Sequence, residues 1–382
     1  MKTKRNRTLL LICVGLFWAA QHIFTPYQTP YMIGLGITAD IAGIIVGAYG
    51  FSQMLLRTPI GINADMKARH KPFIAAGFTA IITASFLRLF ADRAWIFLAA
   101  NLIAGVGSSM WISFTILFSN MYSAEEVHSS ISLVFSFNQA GMLFAYILGL
   151  IIYPVFGAVS IFVSSMILSL TGLVLSFFVK EDPPAENGKP SPAGILKGAF
   201  SGRLILFSAI SLILQAASQS TQSSFTSQVA KELGAGDRLL GALSILTMAS
   251  AFLGSSLLRS KPMRSLGLST VIYICLSVFA AYCVAVGTAK SVVTVFIAQF
   301  FGAMANSMLG SAFMSSAIEG CPQYCKSAAM GMYQAIYGIG MTLGPVIMGQ
   351  MVRQFSYTAG FLLMASFMLL DMAVYRIFRK KI

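Results

Sequence analysis

The stretch RTPIGINADMKARHKP, residues 57–72, indicates the fold class of this chain. Only 10% of the residues are charged, yet this stretch holds Arg57, Asp65, Lys67, Arg69 and Lys71. Long apolar runs flank it on both sides. The pattern is typical of a polar loop that joins two apolar helices.

The composition places these helices in a membrane. Apolar residues make up 57% of the chain, which exceeds the usual fraction for a soluble domain. A bilayer core of about 30 Å requires about 20 apolar residues per helix. The runs are apolar on both faces, unlike the alternating strands of a barrel. We predict twelve spans, at roughly 8–28, 41–60, 73–91, 95–118, 130–153, 158–179, 204–226, 239–258, 266–287, 291–315, 327–351 and 356–378.

The first apolar run could also be interpreted as a signal peptide, because four basic residues precede it: Lys2, Lys4, Arg5 and Arg7. Its apolar character continues through Phe24, so we interpret it as a span.

The distribution of Lys and Arg predicts the orientation. With the N-terminus in the cytoplasm, 20 of the 26 basic residues fall on the cytoplasmic side. We therefore predict a multi-pass protein of a bacterial-type inner membrane with both termini cytoplasmic. The net charge of +14 follows largely from this topology, and with no polar domain to carry a basic surface we expect no nucleic-acid partner.

The chain divides at its longest polar segment, residues 180–203, which carries four prolines and reads as a cytoplasmic linker. The predicted halves are 1–179 and 204–382, with six spans each. GMLFAYILG at 141–149 and GMTLGPVIMG at 340–349 occupy equivalent spans and place small residues four apart, a spacing that allows close helix packing.

Twelve spans in two halves, a central linker and G-x-x-x-D followed by alternate basic residues together resemble the major facilitator superfamily. The matching positions are Gly61, Ala64, Asp65, Lys67, Arg69 and Lys71. Met66 and Ala68 depart from the usual basic residue and glycine.

The resemblance implies an all-α membrane fold of twelve helices in two six-helix halves. It also implies a monomer with one substrate site near the midplane and alternating access. Gly61, Asp65, Lys67, Arg69 and Lys71 would form a cytoplasmic gate motif, with Asp65 bonding across the seam between the halves. The alternative is that the basic residues only set the topology.

Two other family signatures are missing. Asn101 stands where many proton-coupled relatives have arginine, and Ala145-Tyr146 where many antiporters have Gly-Pro. Export and uptake both stay open.

The family places helices one, four, seven and ten around the cavity. In the seventh, Ser211, Gln215, Gln219 and Gln222 share one helical face. We predict that the glutamines line the cavity, with helix packing as the alternative. The full predicted set is Gln21, His22, Tyr27, Ser109, Ser113, Gln215, Gln219, Gln222, Gln299 and Asn306.

This set carries no fixed charge, so an uncharged or weakly polar organic solute suits it. His22 titrates near neutral pH and is a candidate for proton coupling, with a hydrogen-bonded structural histidine as the alternative. Trp18 and Trp111 could stack a substrate, although core packing is the commoner role of such residues. We interpret Asp371, in the peripheral twelfth span, as structural.

The motifs of several other function classes are absent from the sequence. It has no phosphate-binding loop, dinucleotide turn or paired-carboxylate site, so we expect no cofactor and no enzymatic activity. Cys321 and Cys325 are a weak metal candidate, and we expect no metal. The sequence predicts a secondary transporter of small organic solutes, with proton-coupled efflux of drugs or metabolites favoured. An importer and a non-transporting membrane receptor are the alternatives.

Overall fold

The structure is a computed structural model that describes residues 2–67, 69–122, 127–181, 200–258, 260–319, 321 and 326–378. Most of the predicted linker and Cys325 lie outside these ranges. The side chains of residues 61–67 also lie outside the description, including Gly61, Asp65 and Lys67 of the predicted gate motif.

All regular elements in the described ranges are helices. They are α1 (Lys2–His22), α2 (Gln28–Gly34), α3 (Ala39–Lys67), α4 (Lys71–Leu89), α5 (Ala94–Ser109), α6 (Trp111–Ser119), α7 (Val127–Phe178), α8 (Gly202–Ser220), a π-helix (Thr221–Phe225), α9 (Thr226–Glu232), α10 (Asp237–Leu258), α11 (Lys261–Leu266), α12 (Leu268–Gly287), α13 (Val292–Ala317), α14 (Lys326–Gln354) and α15 (Tyr357–Phe378).

The predicted all-α membrane fold is confirmed. In the described ranges, 10 helical stretches are long and apolar enough to cross a membrane. One of them, Leu133–Phe178, has 46 residues and contains the fifth and sixth predicted spans. These two spans meet at Gly157, whose φ of 69° interrupts the helix. With α1, which corresponds to the first predicted span, the total is twelve.

The predicted end of the first span is wrong. The sequence favours one run over 8–28, whereas α1 ends at His22 and a turn leads to α2 at Gln28. Pro26 lies in this turn. Proline has no backbone N–H, and it disfavours helical geometry in the residue before it. Hydropathy alone does not reveal this break.

The chain forms two compact units. Unit 1 comprises Met1–Phe24 and Leu55–Lys189. Its core gathers around Phe17, whose ring lies 5.3 Å from that of Phe78 and 4.9 Å from that of Phe114. A Cβ atom added at Gly141 of α7 would lie 2.2 Å from the carbonyl oxygen of Gly15 in α1. Only glycine permits so close a crossing.

Unit 2 comprises Thr25–Met54 and Pro190–Ile382. Here α8 and α14 make the equivalent close crossing, because a Cβ at Gly344 would lie 2.2 Å from the carbonyl oxygen of Ala216. The predicted close helix packing is therefore confirmed at Gly141 and at Gly344. The sequence halves 1–179 and 204–382 stay a prediction. The packing units differ from them by placing Thr25–Met54 with the C-terminal part.

The packing units differ from the sequence halves because the first half of α3 packs on α14. Cβ atoms added at Gly43 and Gly47 would lie 2.1 and 2.3 Å from the carbonyl oxygens of Pro345 and Thr342. At one end of this seam Arg353 forms an ion pair with the nearly buried carboxylate of Asp40. We call this contact the α3–α14 seam.

Candidate functional site

Three polar side chains join α8, the π-helix and α13 within unit 2. The Asn306 Nδ2 atom donates hydrogen bonds to Ser218 Oγ at 2.8 Å and to Gln222 Oε1 at 2.9 Å. Asn306 and Gln222 are half-buried. Among the described residues, the buried Nε2 atom of Gln222 has no hydrogen-bond partner. This amide cluster (Ser218, Gln222 and Asn306) therefore holds an unused donor.

The π-helix that carries Gln222 is held by hydroxyl contacts on both sides. Ser224 Oγ lies 2.9 Å from Thr29 Oγ1 of α2. Just beyond the π-helix, Thr226 Oγ1 lies 2.6 Å from the hydroxyl of Tyr282 in α12. A π-turn inserted in an α-helix is uncommon and occurs often at functional sites. It also shifts the register of the residues that follow it.

The other predicted residues of the seventh and tenth spans have varied surroundings. Ser211 Oγ lies 2.6 Å from the Tyr333 hydroxyl, a buried contact between α8 and α14. Gln215 and Gln219 are half-buried. Gln299 is 1% exposed, and its amide donates to Thr247 Oγ1 of α10 at 2.7 Å. The contacts of Ser211 and Gln299 therefore join neighbouring helices, as expected for residues that stabilise helix packing.

In unit 1, the predicted residues of the first span lie against α5 and Trp18. Gln21 Nε2 donates to the carbonyl oxygen of Ala104 at 3.3 Å. The imidazole of His22 lies against the indole of Trp18, with ring centroids 5.1 Å apart. Its Nδ1 atom is 3.3 Å from the Trp18 carbonyl oxygen. Trp18 also packs edge-on against Trp111 at 5.2 Å, which is the arrangement of a core contact.

Three further predicted residues are, like Gln299, fully or almost fully buried. Ser109 Oγ donates to the carbonyl oxygen of Gly105 in its own helix at 2.9 Å. Ser113 is 0% exposed, and its hydroxyl makes no hydrogen bond within the described part of the chain. Tyr27 is 1% exposed and lies in the turn before α2, in unit 2.

Arg88 is more buried than we expect for an arginine near the end of the third predicted span. It is 8% exposed and donates to Asn101 Oδ1 at 2.8 Å, and its guanidinium carbon lies 5.5 Å from the centre of the Phe24 ring. Asn101 occupies the position at which the family resemblance implies an arginine in many proton-coupled transporters. Arg88 of α4 thus lies beside Asn101 of α5. The sequence does not reveal this proximity, because it depends on how the two helices pack.

Arg69 and Lys71 are the gate-motif residues whose side chains are described. Arg69 is exposed. Lys71 opens α4 and donates through Nζ to the carbonyl oxygen of Phe177, at the end of α7, at 2.6 Å. Both Lys71 and Phe177 belong to unit 1. The predicted bond of Asp65 stays a prediction.

The Major Facilitator Superfamily model matches residues 10–324 and, in a second alignment, 208–381. The chain belongs to this superfamily. Its sequence is 27% identical over 179 residues to the inner membrane transport protein YajR of Escherichia coli K12, an alignment that covers 46% of this chain and 38% of that protein. The matched segment thus spans well under half the length of that relative.

Two solved transporter structures share the fold. A mutant of the nucleoside transporter NupG superimposes with a TM-score of 0.82 at 13% identity, covering 97% of this chain and 99% of that one. A bacterial homologue of the human lysosomal transporter Spinster, in an inward-facing conformation, gives 0.77 at 12% identity, with 98% and 96% covered. The chain therefore belongs to the superfamily by its sequence and shares the fold of these two transporters.

Proposed function

We propose that this superfamily member is a secondary active transporter of small, uncharged, hydrogen-bonding organic solutes, and that it works by alternating access. The amide cluster is the observation that supports this substrate class. Its unused Gln222 donor suits an acceptor atom of a solute, such as a carbonyl or hydroxyl oxygen.

The surroundings of the cluster favour a neutral solute. The sequence carries no charged residue from 204 to 230, which includes α8 and the π-helix, or from 292 to 318, which includes α13. A permanently charged solute needs an opposite charge when it leaves water. A neutral solute needs hydrogen-bond partners, and amide groups provide both donors and acceptors.

Nucleosides are the first solutes to test. They are uncharged, they carry several donors and acceptors, and the similarly folded NupG is a nucleoside transporter by name. Identity to that protein is low, so the choice rests mainly on the chemistry of the amide cluster.

We propose proton-coupled export as the direction and energy source, because the compact loops and the stretch PYQTPYMIGLG, residues 26–36, resemble the smaller drug exporters of the superfamily. Uptake and uncoupled exchange are the competing outcomes. We also propose that both termini are cytoplasmic, because that orientation places most of the basic residues inside. A fluorescent protein that folds only in the cytoplasm, fused to the C-terminus, tests the orientation.

The function is tested in liposomes that contain a pH-sensitive dye and protein of known orientation. The solute panel is uridine, adenosine and, as a cation, choline. We expect nucleoside movement with proton counterflow, and no choline movement. Gln222→Leu should raise the KM about fivefold to tenfold, because one hydrogen bond of about 1 kcal/mol is lost. Ser311→Ala, at an exposed position of α13, is the matched control.

Wild-type protein that binds a nucleoside without moving it would support a non-transporting receptor. Choline transport would contradict the neutral substrate class. Proton and solute movement in the same direction would show symport and therefore uptake.

A further inference from the structure

Within the described part of the chain, Asp371 lies in the interior of unit 2 without the contacts that a carboxylate requires. It is 0% exposed. Among the described residues, neither carboxylate oxygen accepts or donates a hydrogen bond, and no basic side chain forms an ion pair with it. Buried polar groups are nearly always hydrogen-bonded, so this exception needs a physical explanation.

The residue belongs to the buried face of α15. Met364, Met368 and Tyr375 share that face with it, whereas the neighbouring cation Arg376 is exposed. Counted from Tyr357 at about 1.5 Å per residue, Asp371 lies about 21 Å along the helix. The carboxyl group is therefore well inside the span, and Arg376 lies on another side of the helix.

Two contacts define the neighbours of Asp371. Thr358 Oγ1 donates to the Gly287 carbonyl oxygen at 2.6 Å, and the Tyr375 hydroxyl lies 2.9 Å from Ser269 Oγ. They set an antiparallel register between α15 and α12, which puts Asp371 level with Tyr273. The Tyr375 ring also lies 6.4 Å from that of Phe207 in α8. Asp371 is thus one helical turn from a point where α8, α12 and α15 meet.

The three helices that pack on α15 offer no described counter-charge at this level. From Leu204 onward α8 has no ionisable side chain, and in α14 Arg353 is already paired with Asp40. The other ionisable side chains of α12, and of the part of α14 whose side chains are described, are tyrosines and cysteines, which carry no positive charge in either protonation state: Tyr273, Cys275, Tyr282, Cys283, Tyr333 and Tyr337.

An ionised carboxylate in such surroundings is strongly disfavoured, and a protonated carboxyl group is not. A bound metal cation would need several oxygen ligands, whereas this face supplies mainly thioether and hydrocarbon groups. Ionisable residues inside membrane helices are rare and often mark proton pathways.

We propose that Asp371 is the proton-binding site of the transport cycle, a role that rests on the proposed function. In the conformation described here the carboxyl group holds its proton. When the contact between α8, α12 and α15 admits water in another conformation, the O–H bond breaks, the proton passes to water and the carboxylate stays behind. Proton coupling is thereby assigned to Asp371 and not to His22.

The first test measures the proton itself. Infrared difference spectra of the full-length protein in lipid, recorded at neutral pH in H₂O and D₂O, detect a protonated carboxylic acid. We expect this band in wild type, its loss in Asp371→Asn, and its retention in Asp92→Asn, which removes an exposed carboxylate. Should Asp371→Asn fail to fold, Asp371→Glu keeps the acid and must move the band. Absence of a band that depends on Asp371 overturns the proposal, whatever the transport result.

The second test measures coupling, with the panel solute that wild-type liposomes move fastest. Asp371→Asn should keep solute exchange between equal concentrations but lose proton movement and pH-driven accumulation. His22→Ala alters a predicted cavity residue and can change the rate of solute movement, but the proton movement that accompanies the solute should persist. Proton movement that survives in Asp371→Asn and disappears in His22→Ala contradicts the proposal. Wild type that moves no solute refutes the proposed function instead, and the infrared band then decides separately whether Asp371 holds a proton.

Discussion

The carboxylate of Glu181 caps the first turn of α4 by accepting a hydrogen bond from the backbone N–H of Lys71 at 3.2 Å and another from that of His70. In return, Lys71 Nζ donates to a carbonyl oxygen at the end of α7. An acidic group is stabilising at a helix N-terminus, and a cation at a C-terminus. Lys71, predicted as part of the gate motif, therefore also joins α4 to α7 within unit 1.

Glu181→Ala should lower the free energy of unfolding by about 1 kcal/mol, the usual effect of losing a helix cap. Thermal unfolding of the detergent-solubilised protein measures this change. Asp92→Ala, which removes an exposed carboxylate from the same unit, should leave the transition in place. Equal melting temperatures for Glu181→Ala and wild type would show that the cap does not stabilise the fold.

The same junction should make stability depend on pH. Burial lowers the pKa of His70 below its ordinary value of 6.5, and the nearby Glu181 carboxylate offsets this only in part. Because the unfolded chain then binds the proton more readily, the contribution of His70 is present above about pH 6.5 and is lost as the pH falls. The melting temperature should fall between about pH 7 and pH 5, and His70→Gln should reduce that fall. An unchanged pH slope in His70→Gln would contradict this assignment.

The sequence predicts the helical fold well, because each span needs a long apolar run and long runs are visible in composition. It also identifies Gly141 and Gly344, since small residues spaced four apart mark a helix face that can approach a neighbour. These features are local to one helix. They do not require knowledge of which helices are adjacent.

The site is less predictable because it depends on such neighbours. Gln222 and Gln299 look alike in the sequence, yet the first bonds to Asn306 in α13 and the second to Thr247 in α10. The π-turn at Gln222 is a change of hydrogen-bond pattern that hydrophobic periodicity does not encode. Asp371 is visible in the sequence as an acid in a span, but its lack of a partner among the described residues is a property of the packed helices.

The α3–α14 seam should tolerate no side chain at Gly47. Alanine normally stabilises a helix interior by about 1 kcal/mol relative to glycine. At Gly47 its Cβ would meet a backbone oxygen, so Gly47→Ala should instead destabilise by about 1–3 kcal/mol, as overpacking does. Gly310→Ala is the control, because among the described residues nothing beyond the neighbouring backbone of its own helix lies within 4 Å of the added Cβ. Thermal unfolding should show a lower melting temperature for Gly47→Ala and a higher one for Gly310→Ala. A higher melting temperature for Gly47→Ala would show that the α3–α14 seam has room for a side chain.

The ion pair at one end of this seam should be coupled energetically. Asp40 has a side chain 9% exposed, whereas that of Arg353 is 55% exposed, so solvent weakens the pair. Arg353→Ala should cost about 1 kcal/mol by leaving the Asp40 carboxylate with less compensation. The double variant Asp40→Asn/Arg353→Ala should lose less free energy of unfolding than the sum of the losses in the two single variants. Strict additivity in this double-mutant cycle would mean that the two charges do not interact.

Gln299 and Asn306 should respond differently to substitution, although the sequence predicts that both line the cavity. Gln299→Ala removes the bond to Thr247 and should lower stability by about 1 kcal/mol with an unchanged KM. Asn306→Ala removes the residue that orients Gln222, so its KM for a transported nucleoside should rise about fivefold to tenfold. Thermal unfolding and liposome transport on the same preparations separate the two effects. A raised KM in Gln299→Ala would support the prediction that Gln299 lines the cavity. It would mean that Gln299 exchanges its contact with Thr247 for a solute contact during transport.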